Sequence, residues 1–379
     1  NLFKFVEKPF TKDAKFNMEK FYKATYEGQR LMDDLVDLET EAIKRILAKV
    51  EADDEPENIK GVEKETWELL LKTGEEGRRT GLGFTALADM VAALGMAIDS
   101  DEAIAKVDEI MKEKCRAEFD SSIDMSLARG SFVGFDAEIE KTSEFVQMLE
   151  KELPDVYERM MEHGRRNISI STVAPTGTIS MLADTSSGIE PTFALAWKKS
   201  NILEGQTLYY VNKYFEADAK RHDFYSEDLM EHLSQGGSLQ TREDVPPWAK
   251  DIYITAPEIS AEDHVEMQAA FQEDCDSGIS KTINFPNEAT IADVEAAYVH
   301  AWKLGCKGIT VYRAGSREIE VLVKGTEEKE ENDSTEQMSF FDMVETPEPA
   351  YDCCESPNIA MESGCETCKV CGWSMCHVA

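Results

Sequence analysis

The sequence predicts an α/β fold, and three features carry that prediction. Residues 16–50 (FNMEKFYKATYEGQRLMDDLVDLETEAIKRILAKV) place apolar side chains at helical spacing. NISISTVA (167–174) alternates and is rich in β-branched residues, the pattern of a strand. Further on, SKTINFP (280–286), IADVEAAYVHAWKLGC (291–306) and KGITVYR (307–313) read as strand, helix and strand. Two strands joined by a helix pair in parallel through a right-handed crossover.

The remaining elements follow in order. ETWELLLKTG (65–74) continues the helical pattern until Gly74 stops it. RRTGLGFTALADMVAALGM (78–96) opens with glycines and becomes an apolar helix, and the acid-capped helix SDEAIAKVDEIMKEK (100–114) comes next. The GLG lacks the third glycine of a dinucleotide fingerprint and follows no clear strand, so its glycines are read as permitting close helix packing. After the strand at 167–174, PTGTISMLADTSSGIEPTFALAW (175–197) is dominated by small and hydroxyl residues, and VEMQAAFQEDCDSG (265–278) forms a helix ahead of the strand, helix and strand unit. The body is assigned to 1–318. An acidic stretch poor in apolar residues, 319–352, is expected to be a disordered, flexible linker, and 353–379 a small cysteine-rich tail.

Composition narrows the function. A chain of 379 residues with 42% apolar content can fill a large core. No apolar run reaches the ~18 to 20 residues of a membrane helix, and NLFKFVEKPF lacks the pattern of a secretory signal, so a cytoplasmic protein is expected, with no membrane partner. The formal charge of -35 argues against a nucleic-acid polymer as partner, because phosphate backbones are bound through Lys and Arg. Free nucleotides need only a local pocket. Of nine cysteines, Cys115, Cys275 and Cys306 sit in helical or apolar stretches and read as core fillers, whereas six crowd between Cys353 and Cys376. In a reducing compartment such a cluster signals metal binding or thiol exchange.

APTGTIS (174–180) follows a predicted strand, where a turn aims backbone N–H groups and the Thr176 and Thr178 hydroxyls at an anion. Gly177 admits a phosphate close to the backbone and Pro175 fixes the entry. Local chemistry leaves two readings open, a phosphate cradle or a turn that uses Pro, Thr and Gly for conformation alone. SSGIEP (186–191) is a second small-residue turn that could wall the same pocket.

Together, STVAPTGTISMLADTSSGIEP (171–191), SKTINFPNEATIADVEAAYVHAWKLGCKGITVYRAGSRE (280–318) and the terminal CGWSMC resemble the adenosylcobalamin-dependent, class II ribonucleotide reductases. RRTGLGFTALADM (78–90) and FDSSIDMSLARGSFVGFD (119–136) share the resemblance. It implies a ten-stranded α/β barrel made of two half-barrels, of which this chain is the C-terminal half. It also implies substrate phosphate binding by Pro175, Thr176, Gly177, Thr178 and Ile179. The family's radical cysteine lies in an Asn-x-Cys-x-Glu segment on a finger loop, and none of the 379 residues forms that segment. The expectation is therefore a split-gene half, an extein or a fragment, inactive alone. It would need the N-terminal half, which binds most of the adenosylcobalamin, a ribonucleotide substrate and a thioredoxin- or glutaredoxin-like reductant.

For the tail, the resemblance makes Cys371 and Cys376 shuttle thiols and Cys353, Cys354, Cys365 and Cys368 zinc ligands. The adjacency of Cys353 and Cys354 departs from the family's usual Cys-x2-Cys. A rival assignment puts zinc on Cys365, Cys368, Cys371 and Cys376 and leaves no mobile pair. A linker of roughly 34 residues spans ~30 Å as a coil, enough for the tail to reach a buried site and return to solvent. A noncatalytic, partner-binding or regulatory half-barrel with a zinc ribbon is the alternative function.

Overall fold

The computed structural model describes residues 1–202, 206–316, 359–362, 365–368 and 374–376, with side chains described outside 197–210 and the tail. The chain divides into two units, Asn1–Glu327 and Glu328–Ala379. Its helices are α1 (Met18–Ala52), α2 (Glu57–Gly77), α3 (Leu87–Leu94), α4 (Asp101–Arg129), α5 (Ala137–Glu140), α6 (Glu144–Glu152), α7 (Pro154–His163), α8 (Gly177–Ala183), α9 (Lys213–Arg221), α10 (Glu227–Ser234), α11 (Pro247–Ile252), α12 (Ala261–Glu273) and α13 (Ile291–Lys303). The strands are β1 (Val6–Glu7), β2 (Lys15–Phe16), β3 (Ala196–Ile202), β4 (Gln206–Val211), β5 (Thr282–Phe285), β6 (Thr310–Arg313), β7 (Ile359–Glu362), β8 (Cys365–Cys368) and β9 (Ser374–Cys376). No described helix is long and apolar enough to cross a membrane.

The long helix expected over 16–50 is α1. The Asn17 side chain caps it by accepting from the Lys20 N–H at 2.9 Å. Phe21, Thr25, Gln29, Asp33, Val36, Thr40 and Ile43 recur every three or four residues and form its buried face. Gly74 does not end α2. The helix runs on to Gly77 and stops where Arg78 takes a left-handed conformation, φ 47°. Arg78 is held there by Asp33, whose buried carboxylate accepts from Arg78 Nε at 2.7 Å and from Asn167 Nδ2 at 2.9 Å. Burial opposes the Asp33 charge, but the Arg78 hydrogen bond and charge prevail and hold its carboxyl below the usual range.

Helix α4 outlasts its expected end at residue 114 by a further fifteen residues, to Arg129. Beyond Cys115 the helix is buried on nearly every side, so the amphipathic period that marks a surface helix fades. Several of its polar side chains are paired inside, although Glu118 Oε2 and Ser121 Oγ are buried without a hydrogen-bond partner. Lys114 donates to Glu118 at 2.5 Å, and Ser122 Oγ donates to Asn167 Oδ1 at 2.9 Å. Cys115, Cys275 and Cys306 are free thiols, the first two buried, and burial pushes all three above the ordinary thiol range. That agrees with core filling.

The segment expected as a strand at 167–174 is extended but broken. It makes isolated parallel bridges, Leu82 to Ser171 and Val173 to Ile279. At the first bridge, the Ile170 and Ser171 N–H groups donate to the Asp276 carboxylate at 2.8 and 2.9 Å, so a side chain takes the place of a neighbouring strand. The next pair forms as expected: β5 and β6 run parallel, with Thr282 opposite Thr310 and Phe285 opposite Arg313, and α13 is the crossover. Parallel segments thus succeed one another from residue 82 through 171–173 and 279–285 to 310–313. Among the described residues no sheet exceeds three strands, so ten are not seen.

Gly81 and Gly83 serve a strand contact rather than the helix packing expected of them. A Cβ at Gly81 would lie 2.8 Å from Thr172 Cγ2, and one at Gly83 would lie 2.9 Å from the Thr172 carbonyl. Residues 212–258 form short helices α9 to α11 around Phe215, Leu229, Leu233 and Tyr253.

Candidate substrate-binding site

The APTGTIS segment turns directly from the extended chain into α8. Thr176 is the N-terminal cap residue, in a left-handed conformation at φ 54°. Its hydroxyl accepts from the Gly188 N–H at 2.6 Å, and Ser187 Oγ donates to the Pro175 carbonyl at 2.8 Å. These bonds stitch the two small-residue turns into one unit. Gly188 is required at the seam, because φ is +48° and a Cβ would sit 3.2 Å from the Ala174 carbonyl and 3.4 Å from that of Pro175.

The Thr176 hydroxyl is therefore spent on the scaffold rather than pointed outward. What the turn offers to solvent is the first turn of α8. Gly177, Thr178 and Ile179 are exposed, a Cβ at Gly177 would meet nothing within 4 Å, and the first turn carries no acid. The N–H groups that open a helix have no acceptor within it. Pro175 is also exposed, so the five expected phosphate-binding residues are contiguous and, apart from the half-buried Thr176, accessible.

Two supports hold this unit from behind. Residues 85–89 clasp it on one side: the Asp89 carboxylate accepts from the Ser186 N–H at 2.8 Å, and the Ala86 N–H donates to the Ser186 carbonyl at 3.0 Å. Burial raises the Asp89 carboxyl above its ordinary range, against its bonds from Ser186. A cleft beside the clasp is lined by Ala88, Asp89, Thr192, Asn212, Tyr214 and Tyr253, and residues 175–179 take no part in its wall.

The second support is a buried charged chain. The Glu190 carboxylate accepts from the Thr282 N–H at 2.6 Å and from Lys281 Nζ at 3.1 Å. Lys281 Nζ also donates to His264 Nδ1 at 2.9 Å, and His264 Nε2 meets the Ala256 carbonyl at 3.0 Å. A carbonyl can only accept, so Nε2 carries the proton and Nδ1 is free to receive from Lys281. Burial, then the charge of Lys281, pushes His264 down to about 3. Lys281 is itself lowered by burial, with Glu190 opposing. These three residues were not singled out from the sequence. Glu190 lies in SSGIEP and Lys281 in SKTINFP, and nothing local indicates that segments 91 residues apart meet.

The tail is known by backbone alone. Cys353, Cys354 and Cys371 lie outside the described residues. Cys365 and Cys368 stand on β8 and Cys376 on β9, in an antiparallel three-stranded sheet whose register sets Cys365 opposite Cys376 and Cys368 opposite Ile359.

The family model described as "Ribonucleotide reductase, barrel domain" matches residues 1–312. A vitamin B12-dependent ribonucleoside-diphosphate reductase of Mycobacterium tuberculosis is 38% identical over 245 residues, covering 65% of this chain and 32% of that protein. One of Thermoplasma acidophilum is 38% identical over 270 residues, covering 71% and 32%. A vitamin B12-dependent ribonucleotide reductase of Streptomyces coelicolor is 28% identical over 294 residues, covering 68% and 30%. The chain thus spans about a third of the length of these relatives. Among solved structures, the alpha subunit of the Actinobacillus ureae class Id ribonucleotide reductase has the same fold, with a TM-score of 0.53, 22% identity and coverage of 75% of this chain and 46% of that one. The barrel-domain match takes in the glycine-tight strand contact, the stitched turns and the parallel β5–α13–β6 unit up to residue 312, and on that footing this chain belongs to the ribonucleotide reductase barrel-domain family.

Proposed function

We propose that this chain is the C-terminal portion of a cobalamin-dependent ribonucleotide reductase, and that Pro175, Thr176, Gly177, Thr178 and Ile179 receive the substrate's phosphates. One observation carries the reading: the unacidic, exposed first turn of α8 is presented on a scaffold braced by Thr176, Ser187 and Gly188. Converging N–H groups at a helix start attract anions. The substrate class is a ribonucleoside diphosphate, as in the names of the M. tuberculosis and T. acidophilum relatives.

Reduction replaces a ribose hydroxyl by hydrogen. The hydroxyl leaves as water, and two thiols give up two electrons and two protons to become one disulfide. Cys371 and Cys376 carry those electrons inward from a thioredoxin- or glutaredoxin-like reductant. Bound adenosylcobalamin supplies the radical that such a hydrogen abstraction needs. Residues 174–190 include no histidine or cysteine that would hold the cobalt, and this reading assigns most of the cofactor's binding to the N-terminal complement. On α8, Ile179, Met181 and Leu182 are 66%, 75% and 86% exposed, an apolar surface suited to burial against that complement.

The cross-strand pairing of Cys365 with Cys376 favours a second reading of the tail. Directly opposed Cα atoms lie ~4.5 to 5.5 Å apart, within range of a shared metal ion. Of the rival set Cys365, Cys368, Cys371 and Cys376, the register thus brings Cys365 and Cys376 together, while Cys368, three residues from Cys365 on β8, stands on the opposite face of the sheet.

Both parts are tested by mixing the chain with its N-terminal complement, adenosylcobalamin and a ribonucleoside diphosphate. Deoxyribonucleotide should form, and its absence would favour a noncatalytic subunit. Cys371→Ser and Cys376→Ser should each abolish thioredoxin-driven turnover while sparing turnover driven by dithiothreitol. Normal turnover of both variants with the protein reductant overturns the shuttle, and loss of one bound zinc per chain in Cys376→Ser establishes the second reading.

A further inference from the structure

We propose that Glu262, Glu266 and His300 form a divalent transition-metal site that ties α12 to α13, the crossover helix of the β5–β6 pair. Glu262 and Glu266 are one turn apart and so share a face of α12. His300 comes from the last turn of α13. One ligand atom from each lies within 4.8 Å of the other two.

A second observation separates this group from an ordinary acidic patch. His300 Nε2 is buried and has no hydrogen-bond partner, although it stands 3.7 Å from a Glu266 oxygen. That separation is too long for a hydrogen bond, and an orphaned imidazole nitrogen is a cost that folded proteins avoid. Coordination removes the cost. Two carboxylates and a neutral imidazole carry a net charge of minus two and match a divalent cation in both charge and ligand type.

Ligands at ~2.1 Å from an ion lie roughly 3 to 3.4 Å from one another, so the three side chains close by about an ångström on binding. Glu262 is exposed and Glu266 and His300 are half-buried, which leaves them room to do so. Solvent fills the remaining coordination positions. The site does not depend on the reductase reading.

Mn²⁺ is the probe, since thiolates of the tail disfavour it relative to zinc while carboxylate and imidazole accept it. Titration of the full chain, read from the electron paramagnetic resonance signal of free Mn²⁺, should show one saturable site and a rise in melting temperature. Both should vanish in His300→Ala. Affinity should fall at least tenfold in Glu262→Gln, whose side chain is exposed and not part of the core. Binding without saturation, binding unchanged in both variants or no binding overturns the proposal; the first two mark diffuse attraction to a chain of formal charge -35. Protonated His300 simply pairing with Glu266 corresponds to the last.

Discussion

Replacing Glu190 by Gln should destabilise the body by about 3 kcal/mol near pH 7, through a group that touches no solvent-facing part of the proposed phosphate turn. Lys281 is 1% exposed, and its ammonium has one anionic partner at 3.1 Å and two neutral ones, His264 Nδ1 at 2.9 Å and the Thr282 carbonyl at 3.4 Å. Gln keeps an acceptor for the Thr282 N–H but removes the compensating charge. Breaking a buried pair from one side costs about 3–5 kcal/mol, and Glu190, whose side chain is 26% exposed, belongs at the lower end. With an unfolding entropy of about 2.1 cal/mol/K per residue over roughly 316 residues, that is a fall of about 4–5 °C in melting temperature. Burial already lowers Lys281, and without Glu190 it falls further, so the unfolded chain binds the proton more tightly than the folded one. Stability of the variant then rises with pH toward the ordinary lysine range, and its deficit shrinks until wild-type Lys281, itself lowered by burial, also loses its proton. Thermal melts by circular dichroism at several pH values measure this. Removing both partners in Glu190→Gln/Lys281→Met should cost less than the sum of the single changes by at least about 1.5 kcal/mol. A melting shift under about 1 °C, a deficit independent of pH, or simple additivity would refute the reasoning.

Three further outcomes are expected. Gly188→Ala must hold φ +48° with its Cβ against two carbonyls, which costs about 1–2 kcal/mol and should weaken binding of a ribonucleoside diphosphate by the reconstituted protein, read by calorimetry. Gly83→Ala forces a Cβ to 2.9 Å from the Thr172 carbonyl and should destabilise by about 1–3 kcal/mol in urea melts, because backbone rather than a flexible side chain must move. His264 is pushed down to about 3 when folded, against ~6.5 unfolded, so the unfolded state takes up the proton first and stability is lost as pH falls from about 6.5 toward 3; His264→Gln should flatten the slope of melting temperature with pH in that window.

Much of the fold is legible because its signals are local. The period of α1, the β5–α13–β6 succession and the two small-residue turns each depend on residues a few positions apart. Where a distant group intervenes, local reading fails in a definite way. Gly74 is tolerated inside α2 because the helix packs on α1, where Thr40 Cγ2 lies 3.6 Å from a notional Cβ, and the true stop is Arg78 reaching for Asp33. The strand at 167–174 is interrupted because Asp276, more than 100 residues away, takes two of its N–H groups.

The candidate site divides along the same line. The composition of APTGTIS and SSGIEP was enough to nominate an anion-binding turn and a wall beside it, since glycine, proline and hydroxyl residues act on their own backbone. That the Thr176 hydroxyl binds Gly188 instead of facing solvent, and that Lys281, Glu190 and His264 share a buried chain, was decided only when segments 12 to 92 residues apart were brought together. Short-range backbone preferences are encoded in the residues themselves. Which polar group satisfies which depends on burial, because only there does an unpaired charge or hydrogen bond cost enough to select a partner.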